Sequence, residues 1–380
     1  MSRLAALRRA LRTLSESYRE RAERWPATGL TALCGLDAAT SPVAIKDISV
    51  TGICLLTAER GQPGDQIALV LSKPGEPSNY PDLQISLPAR VIRPTQDGVA
   101  LAFAPPPGMD SKLFQVLLRN IAHVTDPDLC AEMFLTFRTV LFLYRLCEAG
   151  AEEVILLLDG QLDSHRTTNL FRIVLGAEEI LALYRDAARM HAHPKVVASI
   201  LRHGTWARDE LTLQWWTGLF VSSCSVDTPD DSNQLLVDLL VQVTPTQARI
   251  LVQAFERFRE PELEAQDSTP GCVVLDANEM IQLTGVHDLT RNATDLAYLF
   301  HLGLIKRVFD FTSYREIDCF DITPTSLGLE LYKHCHGSRE KLKTELVESA
   351  REHLAGLLPP PIPSAFGPQS SRWFAVHAGR

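Results

Sequence analysis

The chain has 380 residues, 46% of them hydrophobic and 22% charged, with a formal net charge of −9. That length exceeds one small domain and suits two or three, and the composition excludes disorder along most of the chain. Residues 1–25 hold seven arginines against Glu16, Glu20 and Glu23, a local charge of +4 that leaves −13 on the remainder. A basic arm on an acidic body meets an anionic ligand near the N-terminus and argues against the body wrapping nucleic acid.

The elements follow in chain order. Leu4, Leu7, Leu11 and Leu14 recur at helical spacing, which predicts a basic helical arm over 1–24. From Leu30 the period changes to short apolar runs bounded by turn residues. The runs are Leu30–Leu33, Val43–Ile48, Gly52–Thr57, Gln66–Leu71, Leu83–Ile92 and Gly98–Phe103, broken by turns such as Gly61-Gln62-Pro63-Gly64, Pro74-Gly75 and Gln96-Asp97-Gly98. Frequent turns between short strands predict a small antiparallel barrel. A helix with Leu113, Val116, Leu117 and Ile121 on one face follows, and the Asp126-Pro127-Asp128 turn closes a first domain over 25–125.

Helical periodicity then dominates a second domain, 126–260. Candidate helices are Leu129–Cys147, Thr168–Met190, Lys195–Leu201, Leu211–Ser223, Asn233–Val243 and Thr246–Phe258, and Val154–Leu158 reads as a helix or as a buried strand. A polar linker from Glu260 to Gly271 leads to a third unit, 272–340. There, helices at Glu279–Leu283 and Leu289–Leu302 precede strands at Leu304–Phe309 and Glu316–Ile322 and a closing helix at Leu327–His334. That is the order of a winged helix. A tail over 359–380, rich in Pro, Ser and Gly, reads as disordered. The fold class is therefore multidomain α+β: a small antiparallel β-barrel, an all-α region and a winged-helix-like unit.

No continuous apolar core marks a secretory signal, and no run reaches the ~18–20 apolar residues that span a bilayer. The nearest, Met133 to Cys147, is broken by Arg138 and Arg145. The expectation is a cytoplasmic protein without a membrane span. Its eight cysteines are scattered and form no C-x-x-C pair, as suits small buried hydrophobes in a reducing compartment.

One segment carries ligand chemistry. Asp47-Ile48-Ser49-Val50-Thr51-Gly52 is a D-x-S-x-x-G between two strands, with arginines before the first strand and a helix after the last. Together these features, over residues 19–123, resemble the PilZ domain. The resemblance implies a bacterial, non-catalytic effector whose ligand is cyclic di-GMP, typically bound as a stacked dimer and gripped by an R-x-x-x-R motif. Carried onto this chain, it implies a site of Arg19, Arg21, Arg24, Asp47, Ser49 and Gly52. These residue types suit the ligand. Arginine forks onto guanine O6 and N7, stacks on the ring and pairs with phosphate. Asp accepts from guanine N–H groups, Ser adds a hydroxyl, and Gly permits close backbone approach. The ligand would order the arginine arm, an order–disorder switch. One departure stands out. Arg24 occupies the second arginine position, but Glu20 occupies the first, with Arg19 and Arg21 on either side. The alternative is a degenerate, ligand-free PilZ barrel serving as a protein-interaction or phage-defence scaffold, with Asp47 and Ser49 capping a turn.

Further on, Glu210-Leu211-Thr212-Leu213-Gln214-Trp215-Trp216, Leu219–Ser223 and Thr244–Leu251 resemble the helical core of the Abi-alpha group, linked by family to abortive phage infection. That resemblance implies no catalytic motif. The winged-helix order invites DNA binding, but the segment from Glu279 to His336 has eight acids against five bases, and the recognition-helix position, Leu289–Leu302, offers only Arg291. A DNA reader carries a basic face, so the expected partner of the helical and C-terminal regions is a protein. His191-Ala192-His193 and His334-Cys335-His336 lack zinc-site spacing. No nucleophile elbow or phosphate loop occurs. No catalytic residue, metal or cofactor is expected.

Overall fold

The computed structural model describes residues 24–27, 29–34, 42–58, 61–73, 83–124, 126–158, 162–227, 231–258, 272–306 and 319–336. The helical arm up to residue 23, the linker 260–271 and the tail 359–380 lie outside them. The described residues fall into two compact units, one spanning Arg24–Ala104 and one beginning at Pro105.

The first unit is all β. Its strands are β1 (Arg24–Trp25), β2 (Thr31–Cys34), β3 (Val43–Ser49), β4 (Gly52–Leu56), β5 (Gln66–Lys73), β6 (Leu83–Pro94) and β7 (Val99–Phe103). Every pairing is antiparallel, and the ring β3-β2-β5-β6-β7-β4 closes back on β3, giving a six-stranded barrel with β1 added along β3. Closure removes the open edges that a small sheet would otherwise expose. The period-2 pattern decides which face is core. Ile85, Leu87, Ala89 and Val91 on β6 are buried, and so are Ile67, Leu69 and Leu71 on β5. The register sets Leu69 opposite Leu87 and Leu71 opposite Ile85. Cross-strand pairs of this kind fill the barrel and fix its register. The six expected strands are all present, their ends displaced by a few residues at most. The two-residue β1 is an addition.

The second unit is mostly helical: α1 (Ser111–His123), α2 (Pro127–Cys147), α3 (Ala151–Leu158), α4 (Ser164–Leu181), α5 (Pro194–Gly204), α6 (Glu210–Ser222), α7 (Gln234–Leu240), α8 (Pro245–Phe258), α9 (Ala277–Thr284) and α10 (Leu289–His301). Its small strands are β8 (His191–Ala192), β9 (Cys224–Ser225), β10 (Val274–Asp276) and β11 (Cys319–Asp321), and a last helix covers 326–336. Aspartates start several of these helices. Asp110, Asp163, Asp209, Asp276 and Asp288 each accept a hydrogen bond from a first-turn amide, which satisfies donors the helix itself cannot.

One open reading resolves here and three expectations change. Val154–Leu158 is helical, because Ala151-Glu152-Glu153 places two acids in the first turn, where they favour the helix dipole. Asp126-Pro127-Asp128 is a helix start and not a closing turn. Asp126 Oδ1 accepts from the Leu129 amide at 3.2 Å, and Pro127 needs no donor in the first turn of α2. The helix expected over Thr168–Met190 stops at Leu181, and a 3-10 turn at Ala187–Arg189 leads into β8. Finally, α1 groups with the helices and not with the barrel, because Phe114 packs edge-to-face on Phe137 of α2 at 5.6 Å.

α2 explains the apolar run interrupted by two arginines. It is the central core helix, with Phe134, Phe137, Phe142, Leu143 and Tyr144 all buried. Arg138 bonds Glu178 of α4 at 2.6 Å, and the Arg145 guanidinium lies 4.9 Å from the centre of the Phe142 ring. Among the described residues no single helix is long and apolar enough to cross a membrane.

The segments expected as separate domains, 126–260 and 272–340, belong to one compact unit. Gly218 of α6 permits it. A side chain there would meet the carbonyl oxygen of Cys335 at 1.7 Å, so only glycine lets the two backbones come this close. Around that crossing Tyr332 stacks on Phe255 of α8 at 4.5 Å, and His336 meets Trp215 edge-on at 6.0 Å. Gln247 bonds Asp295, and Arg257 bonds Glu279. Within the segment, β10 pairs antiparallel with β11, and Ile305 bridges Pro324, around the helices α9 and α10. Residues 307–318, between that bridge and β11, lie outside the described residues.

Candidate functional site

The D-x-S-x-x-G segment forms the β3–β4 hairpin, with Val50 and Thr51 as its two-residue loop. Ser49 is the hinge of that turn. Its Oγ lies 3.2 Å from the Gly52 amide and 3.1 Å from the Gly52 carbonyl oxygen, and the residue is only 6% exposed. Such a side chain closes the turn locally, as Ser, Asp and Asn commonly do. Gly52 is required by a neighbour: a Cβ would stand 2.2 Å from the Leu101 carbonyl oxygen of β7. Ser49 and Gly52 are thus accounted for by the hairpin and by its packing on β7.

Asp47 and Arg24 are the exposed pair of the motif. β1 lies antiparallel to β3 with Arg24 opposite Ser49 and Trp25 opposite Ile48. Trp25 is buried and anchors the strand. The Arg24 guanidinium then reaches diagonally to Asp47, Nη1 to Oδ1 at 3.0 Å, with the two side chains 60% and 25% exposed. An ion pair this open is worth about 0.2–1 kcal/mol. A ligand offering Arg24 one bidentate guanine contact, worth about 1–3 kcal/mol, can therefore compete with it. Of the six expected site residues, the structure brings Arg24, Asp47, Ser49 and Gly52 together. Arg19 and Arg21 lie outside the described residues.

A bulge aims Asp47. Ile45 pairs with Leu55, but Asp47 and not Lys46 pairs with Cys54, so β3 carries one extra residue. Were Lys46 paired in regular alternation instead, Asp47 would stand opposite Ile53, which is buried. The extra residue re-aims the side chain. Lys46, the extra residue, points to solvent and donates to Asp97 at 3.1 Å. That hydrogen bond raises the Lys46 ammonium above its ordinary value.

The histidine clusters are structural. His336 stacks among Trp215 and Tyr332, His193 precedes the first turn of α5, and His191 lies 3.5 Å from Glu148. Among the described residues no group of three or more His, Cys, Asp or Glu side chains is placed to hold a metal ion. Burial pushes the Cys147 thiol up to about 12 and raises those of Cys224 and Cys335 further still. These are packing residues and not nucleophiles.

Comparison with known families finds two matches, the first of which takes in the barrel and most of α1. Residues 18–120 match the PilZ domain, and residues 172–335 match the family described as abortive infection alpha. The second match runs without a break across the boundary expected between 260 and 272. No curated protein matches the chain.

Proposed function

We propose that the chain is a cyclic di-GMP receptor of the PilZ type whose helical unit is a non-catalytic output. The single observation that carries the reading is the Arg24–Asp47 pair: an exposed guanidinium held over an outward-turned carboxylate, beside the turn that Ser49 closes. Arg24 offers the guanine or phosphate fork, and Asp47 accepts from guanine N–H groups. Arg19 and Arg21 complete the cationic arm. The output partner is a protein. The exposed face of α10 carries Thr290, Arg291, Thr294, Ala297, Tyr298 and His301, a surface with one guanidinium and no basic stripe, which suits a protein better than DNA. This reading takes the protein as cytoplasmic.

The test is isothermal titration of cyclic di-GMP into the full chain and into Arg24→Ala. Binding by the wild type that is lost in the variant supports the receptor. No heat and no shift in melting temperature at high micromolar ligand refutes it.

A second reading is favoured by specific observations. Ser49 and Gly52 are fully explained by the hairpin, Arg24 already has a carboxylate partner, and Glu20 stands at an expected arginine position. On this reading the barrel is ligand-free, and the protein is an interaction scaffold, with the abortive infection alpha match pointing to phage defence. Capture of one specific partner, unaffected by nucleotide and lost when Tyr298 is changed to Ala, distinguishes it.

A further inference from the structure

The barrel's outer face continues the candidate site across three more strands. Register alone defines two rows. In the first, Arg24 lies opposite Ser49, Ser49 opposite Gly52, Gly52 opposite Ala102 and Ala102 opposite Arg90. In the second, Asp47 lies opposite Cys54, Cys54 opposite Ala100 and Ala100 opposite Arg93. Directly opposed residues share a face of the sheet. The intervening row, Ile48, Ile53, Leu101 and Val91, is buried in the barrel, so these two rows lie on the other face of the sheet, where Arg24, Arg90 and Arg93 are exposed and Ser49 and Cys54 are covered.

A second bulge puts Arg93 in its row. Val91 pairs with Leu101, but Arg93 and not Ile92 pairs with Ala100. Were Ile92 paired in regular alternation instead, Arg93 would stand opposite Val99, which is wholly buried. Two bulges, on β3 and β6, thus turn Asp47 and Arg93 onto the same face. Between them the floor is made of Gly52, Ala100 and Ala102, all small and half-buried, with Cys54 covered among them. Its width is three inter-strand spacings, about 14 Å. Arg90 and Arg93 are exposed, and neither engages a carboxylate among the described residues.

We propose that Arg90 and Arg93 form the second wall of the ligand cradle and read a guanine edge of the cyclic dinucleotide across from Arg24 and Asp47. The inference rests on the receptor reading above and extends it to residues outside the D-x-S-x-x-G segment. A small-residue floor lets a planar base lie close to the sheet. Two guanidinium groups at its far edge supply the donors that guanine O6 and N7 accept.

The test titrates cyclic di-GMP into the full chain as wild type, Arg24→Ala, Arg90→Ala, Arg93→Ala and Arg90→Lys, with thermal melts confirming that each variant is folded. Both alanine variants at the far wall are expected to weaken binding roughly tenfold or more, the loss of a bidentate guanine contact. Arg90→Lys should not restore it, since lysine keeps the charge without the fork. If the wild type binds and Arg24→Ala does not, while Arg90→Ala and Arg93→Ala bind as the wild type does, the second wall is refuted and the receptor stands. Full affinity in Arg90→Lys overturns the guanine assignment, because a point charge on phosphate would then suffice. If the wild type binds nothing, the receptor reading falls and this inference falls with it.

Discussion

Gly218→Ala tests whether the helical middle and the C-terminal segment are one structure. In an unobstructed helix the change is favourable, since glycine in a helix interior costs about 0.8–1.0 kcal/mol relative to alanine. Here the added methyl would lie 1.7 Å from the Cys335 carbonyl oxygen and 2.5 Å from its carbon. Both obstacles are backbone, so no side-chain rotation relieves them. Overpacking against a fixed neighbour costs about 1–3 kcal/mol. Relief by pushing helix 326–336 away exposes Leu331 and Tyr332, which are 0% and 8% exposed and contribute about 1.5–3 kcal/mol each when fully buried. Set against the propensity gain, the net loss is up to about 2 kcal/mol if the clash is borne in place and about 2–5 kcal/mol if the helix is displaced. Urea unfolding followed by circular dichroism at the helix band measures it, as a lower midpoint with an unchanged slope. A stabilisation of about 1 kcal/mol, the value for a free helix surface, would refute the crossing and restore two separate domains.

Three other outcomes follow from the same geometry. Ser49→Ala should lower barrel stability by about 1 kcal/mol, the net worth of a local hydrogen bond, read as an earlier denaturant midpoint; an unchanged midpoint would free Ser49 for the ligand. Phe114→Ala should cost the helical unit about 3–5 kcal/mol, because the ring is buried against Phe137, and equal loss in a barrel probe such as Trp25 fluorescence would place α1 with the barrel instead. Burial, then the Arg202 charge, lowers the His203 pKa below its ordinary 6.5. The unfolded chain therefore binds more protons than the fold just below pH 6.5, so stability falls as pH drops through that value and continues falling until the lowered folded pKa is passed. His203→Gln should flatten that slope in melts between pH 7 and 5, and an unchanged slope would assign the acid lability to other groups.

The barrel was legible because its strands alternate apolar and polar residues between strong turns. Within Leu83–Ile92 the period is plain as far as Val91, and the strand itself runs on past the bulge at Ile92 to Pro94. β1 was not legible. Two residues, Arg24 and Trp25, carry no period, and their pairing with β3 is a tertiary fact. The helical signals held where an apolar stripe repeated, as in Leu211–Ser223 against the observed Glu210–Ser222. They left Val154–Leu158 open between helix and strand, because five consecutive apolar residues have no period to read and only the acids before them mark a helix start. The domain boundary at 260–272 misled for a similar reason. A polar stretch looks like a linker whether or not the flanking segments touch, and the contact turns on one glycine, Gly218, whose partner lies more than a hundred residues away.

The site was half legible for a sharper physical reason. The spacing of D-x-S-x-x-G identifies the hairpin, but it does not say which way Asp47 points. Side chains alternate faces with a period of two, so one inserted residue inverts everything beyond it. Lys46 on β3 and Ile92 on β6 are such insertions. A strict alternation counted along either strand would send Asp47 or Arg93 into the core, where an unpaired charge is too costly to persist. The sequence pattern taken alone thus assigns these two residues to the wrong side. Only the cross-strand register shows Asp47 and Arg93 in one outward row, with Cys54 and Ala100 between them. Whatever ligand the barrel takes, its charged walls are set by those two extra residues.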